Sequence, residues 1–170
     1  SMRDAVIGQY LDLRADHIDQ LKWKGKSGQY TFVNDNNLMI SEPGKKKEKE
    51  MIDLSEINEL LEQKEMKSLK RFPSYQWYDK NTAGFMAGDH FILMNIGSKK
   101  IIKQFNLGKD YEHTDFCFKN MKIAYTHDNN LFIVHDNDKT SIVTDDQDKN
   151  IVNGQTVHRN EFGISKGTFW

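Results

Sequence analysis

The chain has 170 residues, about the size of one domain, and its 24 Lys and Arg against 25 Asp and Glu give a net charge of -1. A chain so close to neutral lacks the basic excess of most nucleic-acid-binding proteins, so we expect no nucleic-acid partner. The 10 Phe, 6 Tyr and 3 Trp residues, together with frequent Asn and Asp, favour strands and tight turns over helices.

Three segments of the chain repeat the same order of features. Each has an aromatic strand, a turn, a second strand, a turn of Asp or Asn type, and a third strand. Asp and Asn tolerate the left-handed backbone that tight hairpins require, which explains their place between the strands. In chain order the aromatic positions are Trp23, Trp77 and Phe118, the hairpins that follow them span 28–40, 82–94 and 122–133, and a further unit begins at 167–170.

The spacing of this repeat is typical of a β-propeller. The aromatic positions 23, 77, 118 and 170 are 54, 41 and 52 residues apart, and the shortest spacing matches the roughly 40–50 residues of a four-stranded blade. A fourth strand is predicted over 99–105 and over 139–144. We therefore predict an all-β fold, a partial β-propeller of about three four-stranded antiparallel blades. Its blades would span 18–66, 67–110 and 111–145, and residues 146–170 would lead into a further blade.

The longer first spacing predicts an insertion. Residues 45–50 form a charge run, which we interpret as a solvated hairpin tip or loop. Asp53 and Glu56 have the spacing of a helix capping box, and Leu54, Ile57, Leu60 and Leu61 fall on one helical face. We predict one short amphipathic helix over about 54–66, which would cover an edge between blades. Because the same aromatic precedes each hairpin, Trp23, Trp77 and Phe118 should lie on inner or middle strands with their rings buried between sheets.

The C-terminal part of the sequence carries a family resemblance. The run Asp-Lys-Asn-Ile-Val-Asn-Gly at 148–154, the run Val-His-Arg-Asn-Glu-Phe at 157–162 and Phe169-Trp170 together resemble the N-terminal propeller of the dipeptidyl peptidase IV family, in the prolyl oligopeptidase superfamily. Members of that family show an Ile-x-Asn-Gly turn, a short segment with a pair of glutamates, and an aromatic-Trp strand that opens a blade. The residues at 123–133 are similar to the strand pattern of the family's blades.

The resemblance implies a function for the parent protein. In the family, the propeller precedes an α/β-hydrolase domain with a Ser-Asp-His triad, and its glutamate pair binds the free N-terminal ammonium of a peptide. Glu161 corresponds to the second glutamate, and Asn160 stands in place of the first. An Asn accepts a hydrogen bond from an ammonium but brings no charge. The parent would be a homodimeric serine exopeptidase of the periplasm or cell surface, which cleaves dipeptides from peptides with a free N-terminus.

The chain itself shows no catalytic constellation. The Gly-x-Ser-x-Gly pattern of a nucleophile elbow occurs once, at 163–167, but it precedes a predicted strand whereas an elbow needs a strand-to-helix turn, and the six histidines lack metal-ligand spacing. We therefore expect no catalytic residue, metal site or cofactor, and an inactive piece that ends before the catalytic domain. No apolar run reaches the roughly 18 residues of a membrane-spanning helix, so we expect no membrane partner. Cys117 lies in an apolar run and should be a buried thiol.

The alternative to a peptidase propeller is a non-enzymatic propeller used for protein binding.

A partial propeller should self-associate, because blades gain stability from their neighbours and open blade faces expose apolar surface. We expect light scattering at high protein concentration to give a mass above that of one chain. A monomeric mass together with low binding of a hydrophobic dye would contradict this expectation.

Overall fold

A computed structural model describes residues 2, 6–7, 18–156 and 167–170 of the chain. Within them lie twelve strands and one regular helix: β1 Asp19–Trp23, β2 Tyr30–Asn34, β3 Asn37–Ser41, β4 Lys49–Asp53, α1 Leu54–Glu62, β5 Tyr75–Trp77, β6 Thr82–Ala87, β7 His90–Asn95, β8 Lys100–Asn106, β9 Glu112–Cys117, β10 Lys122–His127, β11 Asn130–Val134 and β12 Thr140–Ile142. The strands form three four-stranded antiparallel sheets, each with its strands in chain order. This confirms the predicted all-β fold of partial propeller blades with one short helix.

Two hairpins turn on the Asp-Asn pairs that the repeat singled out. Asp35 and Asn36 have φ values of 47° and 64°, and Asp128 and Asn129 have φ values of 48° and 61°. A two-residue turn with both residues at positive φ matches the right-handed twist of the strands that it joins. The turns therefore set the register of β2 with β3 and of β10 with β11.

The middle sheet, β5–β8, is buried on both faces and forms the centre of the core. Alternate residues of β6 and β7 point to opposite faces, as the two-residue period of a strand requires. One face belongs to a cluster with the first sheet, which includes Val33, Leu38, Ile52, Phe85, Ile92 and Met94. The other face belongs to a cluster with the third sheet, which includes Phe91, Leu93, Phe105, Phe116, Ile123 and Val134. The core thus consists of two interfaces between stacked sheets.

The helix covers the edge between the first two sheets, as predicted. Asp53 accepts a hydrogen bond from the Glu56 amide at 2.8 Å, and the Glu56 side chain accepts one from the Asp53 amide at 3.2 Å, which completes the capping box. Ile57 and Leu61 are buried in the cluster that joins the two sheets. The helix ends at Glu62, four residues before the predicted end at 66. Of the charge run, residues 45–48 form a loop, whereas Lys49 and Glu50 begin β4.

The prediction of buried repeat aromatics is wrong for Trp23. Trp77 is half-buried against the first cluster, and Phe118 is half-buried against the second. Trp23 is 64% exposed. It pairs with Tyr30 on the face of the first sheet that points away from the second sheet. None of the sheets that the described residues form covers this face. Trp23 and Trp77 lie on the first strands of their sheets, β1 and β5, which are the inner strands of the blades, and Phe118 follows β9. The prediction of a buried Cys117 is confirmed, since its exposure is 8%.

Gly84 marks the closest approach between the middle sheet and the rings that pack on it. A Cβ atom at this position would lie 2.4 Å from Cζ of Phe91 and 2.8 Å from Cε2 of Tyr78. Both rings belong to the second cluster, so they cannot move away without disturbing it. We expect Gly84→Ala to lower the free energy of unfolding by about 1–3 kcal/mol in urea denaturation, as overpacking does.

Gly97→Ala is the matched control for that substitution. A Cβ atom at Gly97 would meet its nearest neighbour at 3.5 Å, an ordinary contact distance. The free energy of unfolding of the Gly97→Ala variant should stay within about 0.5 kcal/mol of the wild-type value. Equal stability of the two variants would show that the rings do not pack on Gly84.

Candidate functional site

The largest cleft lies where the first strands of the three sheets meet. It has a volume of about 570 Å³, and its lining includes Lys22 of β1, Trp77 of β5 and Asp115 of β9. We call it the first-strand cleft. First strands that face one shared space are the arrangement of propeller blades around a central channel. The cleft is therefore the part of the fold where a ligand on the propeller axis would meet this chain.

Thr31 links the first and second sheets beside this cleft. Its side chain is fully buried, and its hydroxyl oxygen accepts a hydrogen bond from Nε1 of Trp77 at 2.9 Å. The same hydroxyl lies 2.9 Å from the phenolic oxygen of Tyr75. The rings of Tyr75 and Trp77 meet edge to face, with centroids 5.8 Å apart. One buried hydroxyl on β2 thus holds both aromatic side chains of β5 in place.

Lys22 places a positive charge on the wall of the cleft. Its ammonium donates a hydrogen bond to the carbonyl of Tyr75 and lies 4.5 Å from the centroid of the Tyr75 ring. Burial lowers the pKa of Lys22, and the charge of Asp19 opposes that shift. Burial also raises the pKa of the Tyr75 phenol, so this phenol stays protonated in neutral solution.

Tyr78 connects the second sheet to the third at the same cleft. Its ring stacks on Phe118 with centroids 5.6 Å apart and meets the edge of Phe116 at 5.0 Å. Burial raises the pKa of the Tyr78 phenol, and the negative charge of Asp115 raises it further. Both effects favour the neutral form of the phenol.

The predicted site residues Asn160 and Glu161 fall within 157–166, outside the described residues. The chain on both sides of that segment is described. The Asn153 amide donates to the carbonyl of Asn129 at 2.8 Å, and the Gly167 amide donates to the carbonyl of Gly154 at 3.2 Å. Nε1 of Trp170 donates to the carbonyl of Asp115 at 3.1 Å. The two flanks of 157–166 therefore meet at the third sheet, and three residues further on Trp170 contacts Asp115, which lines the first-strand cleft.

Sequence reasoning missed the residue that orders the approach to this segment. The side-chain oxygen of Asn130 accepts hydrogen bonds from the Asp146 amide at 2.8 Å and the Thr144 hydroxyl at 3.1 Å. Its side-chain nitrogen donates to the carbonyl of Asp146 at 3.0 Å. In the sequence repeat, Asn130 is only one residue of the hairpin at 122–133. The sequence carries no signal for a partner sixteen residues away.

The part of the chain that the structure describes holds neither a metal site nor a membrane-spanning helix. No group of three or more His, Cys, Asp or Glu residues there could hold a metal ion. No helix among the same residues is long and apolar enough to cross a membrane.

The stacked sheets and their shared cleft define the chain as blades of a β-propeller. A family model described as the dipeptidyl peptidase IV (DPP IV) N-terminal region matches residues 76–170, more than half of the chain. The chain belongs to this family. The resemblance that residues 148–170 carry is thereby confirmed.

A solved structure supports the same assignment. A protein from Bacteroides ovatus, assigned as a dipeptidyl aminopeptidase IV, is 32% identical to this chain with a TM-score of 0.75. The match covers 92% of this chain and 21% of that protein, so the chain spans about a fifth of its relative's length. A mitotic checkpoint complex structure is 16% identical with a TM-score of 0.39, covering 75% of this chain and 40% of the other. A TM-score of 0.39 is too low to establish a shared fold.

Thr31 should be essential for the junction of the first two sheets. We expect Thr31→Val to lower the free energy of unfolding by about 1–3 kcal/mol, because the variant leaves the Trp77 N–H without its acceptor at nearly unchanged volume. Thr31→Ser keeps the hydroxyl and is the matched control. Its loss should be limited to about 0.8 kcal/mol for the missing methyl group. Urea denaturation of both variants tests this, and a Val variant more stable than the Ser variant would exclude the role.

Proposed function

We propose that this chain is part of the propeller that gates substrate entry and anchors the peptide N-terminus in a dipeptidyl peptidase IV-like serine exopeptidase. Membership in the DPP IV N-terminal family over residues 76–170 is the observation that carries the proposal. The similarity to the Bacteroides ovatus protein, over 92% of the chain, supports it. Hydrolysis itself would belong to a separate domain with a Ser-Asp-His triad, as the family resemblance implies.

Glu161 would bind the free ammonium of the substrate, and Asn160 would assist it as a neutral acceptor. A carboxylate in a partly desolvated cavity holds an ammonium through a charge-assisted hydrogen bond, about twice as strong as one between neutral groups. A fixed anchor for the ammonium sets the distance to the cleaved bond, so that dipeptides are released. The contact of Trp170, three residues after Gly167, with Asp115 of the first-strand cleft is consistent with this role.

For the whole protein we propose peptides with a free N-terminus as substrates, a homodimer as the assembly, and the periplasm or cell surface as the location. These three proposals rest on the family alone. Within the cleft, Lys22 and Asp115 put one charge of each sign on the walls that a peptide would pass.

The role of Glu161 can be tested in the whole protein. Glu161→Gln removes the charge but keeps the shape, so kcat/KM for a free-amine dipeptidyl substrate should fall roughly 10- to 150-fold. Asn160→Glu should raise kcat/KM, because it restores a pair of carboxylates. Glu59→Gln, on an exposed position of α1, is the matched control and should change nothing.

The possible outcomes separate the anchoring role from the activity. If Glu161→Gln leaves kcat/KM unchanged in an active enzyme, Glu161 is an ordinary surface carboxylate. If the wild-type protein cleaves no free-amine dipeptidyl substrate, the non-enzymatic propeller is the better description.

A further inference from the structure

A second cavity lies between the first and second sheets, apart from the first-strand cleft. Its volume is about 500 Å³, within the usual range for small-molecule sites. Three lysines line it, from the ends of β1 and β4 and from the turn between β7 and β8: Lys24, Lys49 and Lys99. Among the described residues that line the cavity, Glu50 carries the one carboxylate, and its side chain is exposed to solvent.

Lys24 is the residue that sets this cavity apart. Its side chain is 9% exposed, and its ammonium lies 5.6 Å from the centroid of the Trp77 ring. Among the residues that the structure describes, no carboxylate or hydrogen-bond acceptor contacts this ammonium. Burial lowers the pKa of Lys24 with no opposing charge. The ammonium thus has a ring face beside it and no anionic partner among the described residues, and a ring face compensates an unpaired charge only in part.

The neighbouring lysines have partners that Lys24 lacks. Lys22, two residues earlier on the same face of β1, donates to the carbonyl of Tyr75. Lys99, on the far wall of the cavity, forms an ion pair with Glu56 of α1. Lys24 therefore offers an unused positive charge to whatever enters the cavity.

The rest of the lining is apolar on one side. Ile40, Met51 and Ile96 contribute aliphatic surface. The register places Ile40 opposite Lys49 on neighbouring strands, so the apolar and the cationic surface adjoin each other. We propose that this cavity binds a small aliphatic carboxylate, whose carboxylate group pairs with Lys24 and whose hydrocarbon part lies against Ile40, Met51 and Ile96. Lys49, at the same wall, adds a second positive charge.

The proposal can be tested by titrating the 170-residue chain with isovalerate and with its neutral analogue isovaleramide, and following the side-chain NMR signals of Lys24. Isovalerate should shift the Lys24 signals in a saturable manner and bind at least about tenfold more tightly than the amide, as loss of a charge-assisted hydrogen bond predicts. Acetate, which lacks the branched chain, should bind more weakly than isovalerate. Inorganic phosphate tests whether any anion suffices.

Lys24→Met should abolish the saturable response, measured then at the signals of Ile96, because the variant keeps the aliphatic length and removes the charge. Lys26→Met is the matched control, since Lys26 is exposed two residues away and should leave binding unchanged. Equal binding of isovalerate and isovaleramide to the wild-type chain would overturn the proposal, even if Lys24→Met failed to fold. Saturation by phosphate without saturation by isovalerate would also overturn it and assign the cavity to inorganic anions.

Discussion

The fold depends on the requirement that a sheet buried on both faces must be apolar on both. The middle sheet meets this requirement, because successive residues of β6 and β7 alternate between two clusters and nearly all of them are apolar. Neither outer sheet shares a cluster with the other, so each depends on the middle sheet for its buried face. The helix α1 adds Ile57 and Leu61 to one of these interfaces and is secondary to them.

Within this apolar stack, the polar contacts lie where strands of different sheets meet. Thr31, Tyr75 and Trp77 form one such contact between the first two sheets, and the ring of Tyr78 packs on Phe116 between the second and third. Tyr75, Trp77 and Tyr78 also line the first-strand cleft. The same side chains therefore orient neighbouring blades and determine the chemical character of the space that the blades enclose.

Much of the architecture could be predicted from the repeat, because its signals are local. The Asp-Asn turns and the capping box of Asp53 each require residues within three positions of one another. The exposure of Trp23 could not be predicted in this way, since the repeat identifies a position in a blade and not whether a neighbouring sheet covers that side. Lys24 and Thr31 were missed for a related reason: their partners and neighbours lie on the second sheet, over forty residues away. Glu161 and Asn160 were named by resemblance alone, and they remain a prediction.

The contact between Gly154 and Gly167 has a consequence for how the family's specificity can diverge. Because the two ends of the intervening segment are fastened to each other and to the third sheet, substitutions, insertions or deletions between them need not propagate into the strands. Selection can then alter this segment independently of the scaffold. Under the proposed anchoring role, the recognition of a peptide terminus would be free to change at Asn160 or Glu161 without loss of the blade.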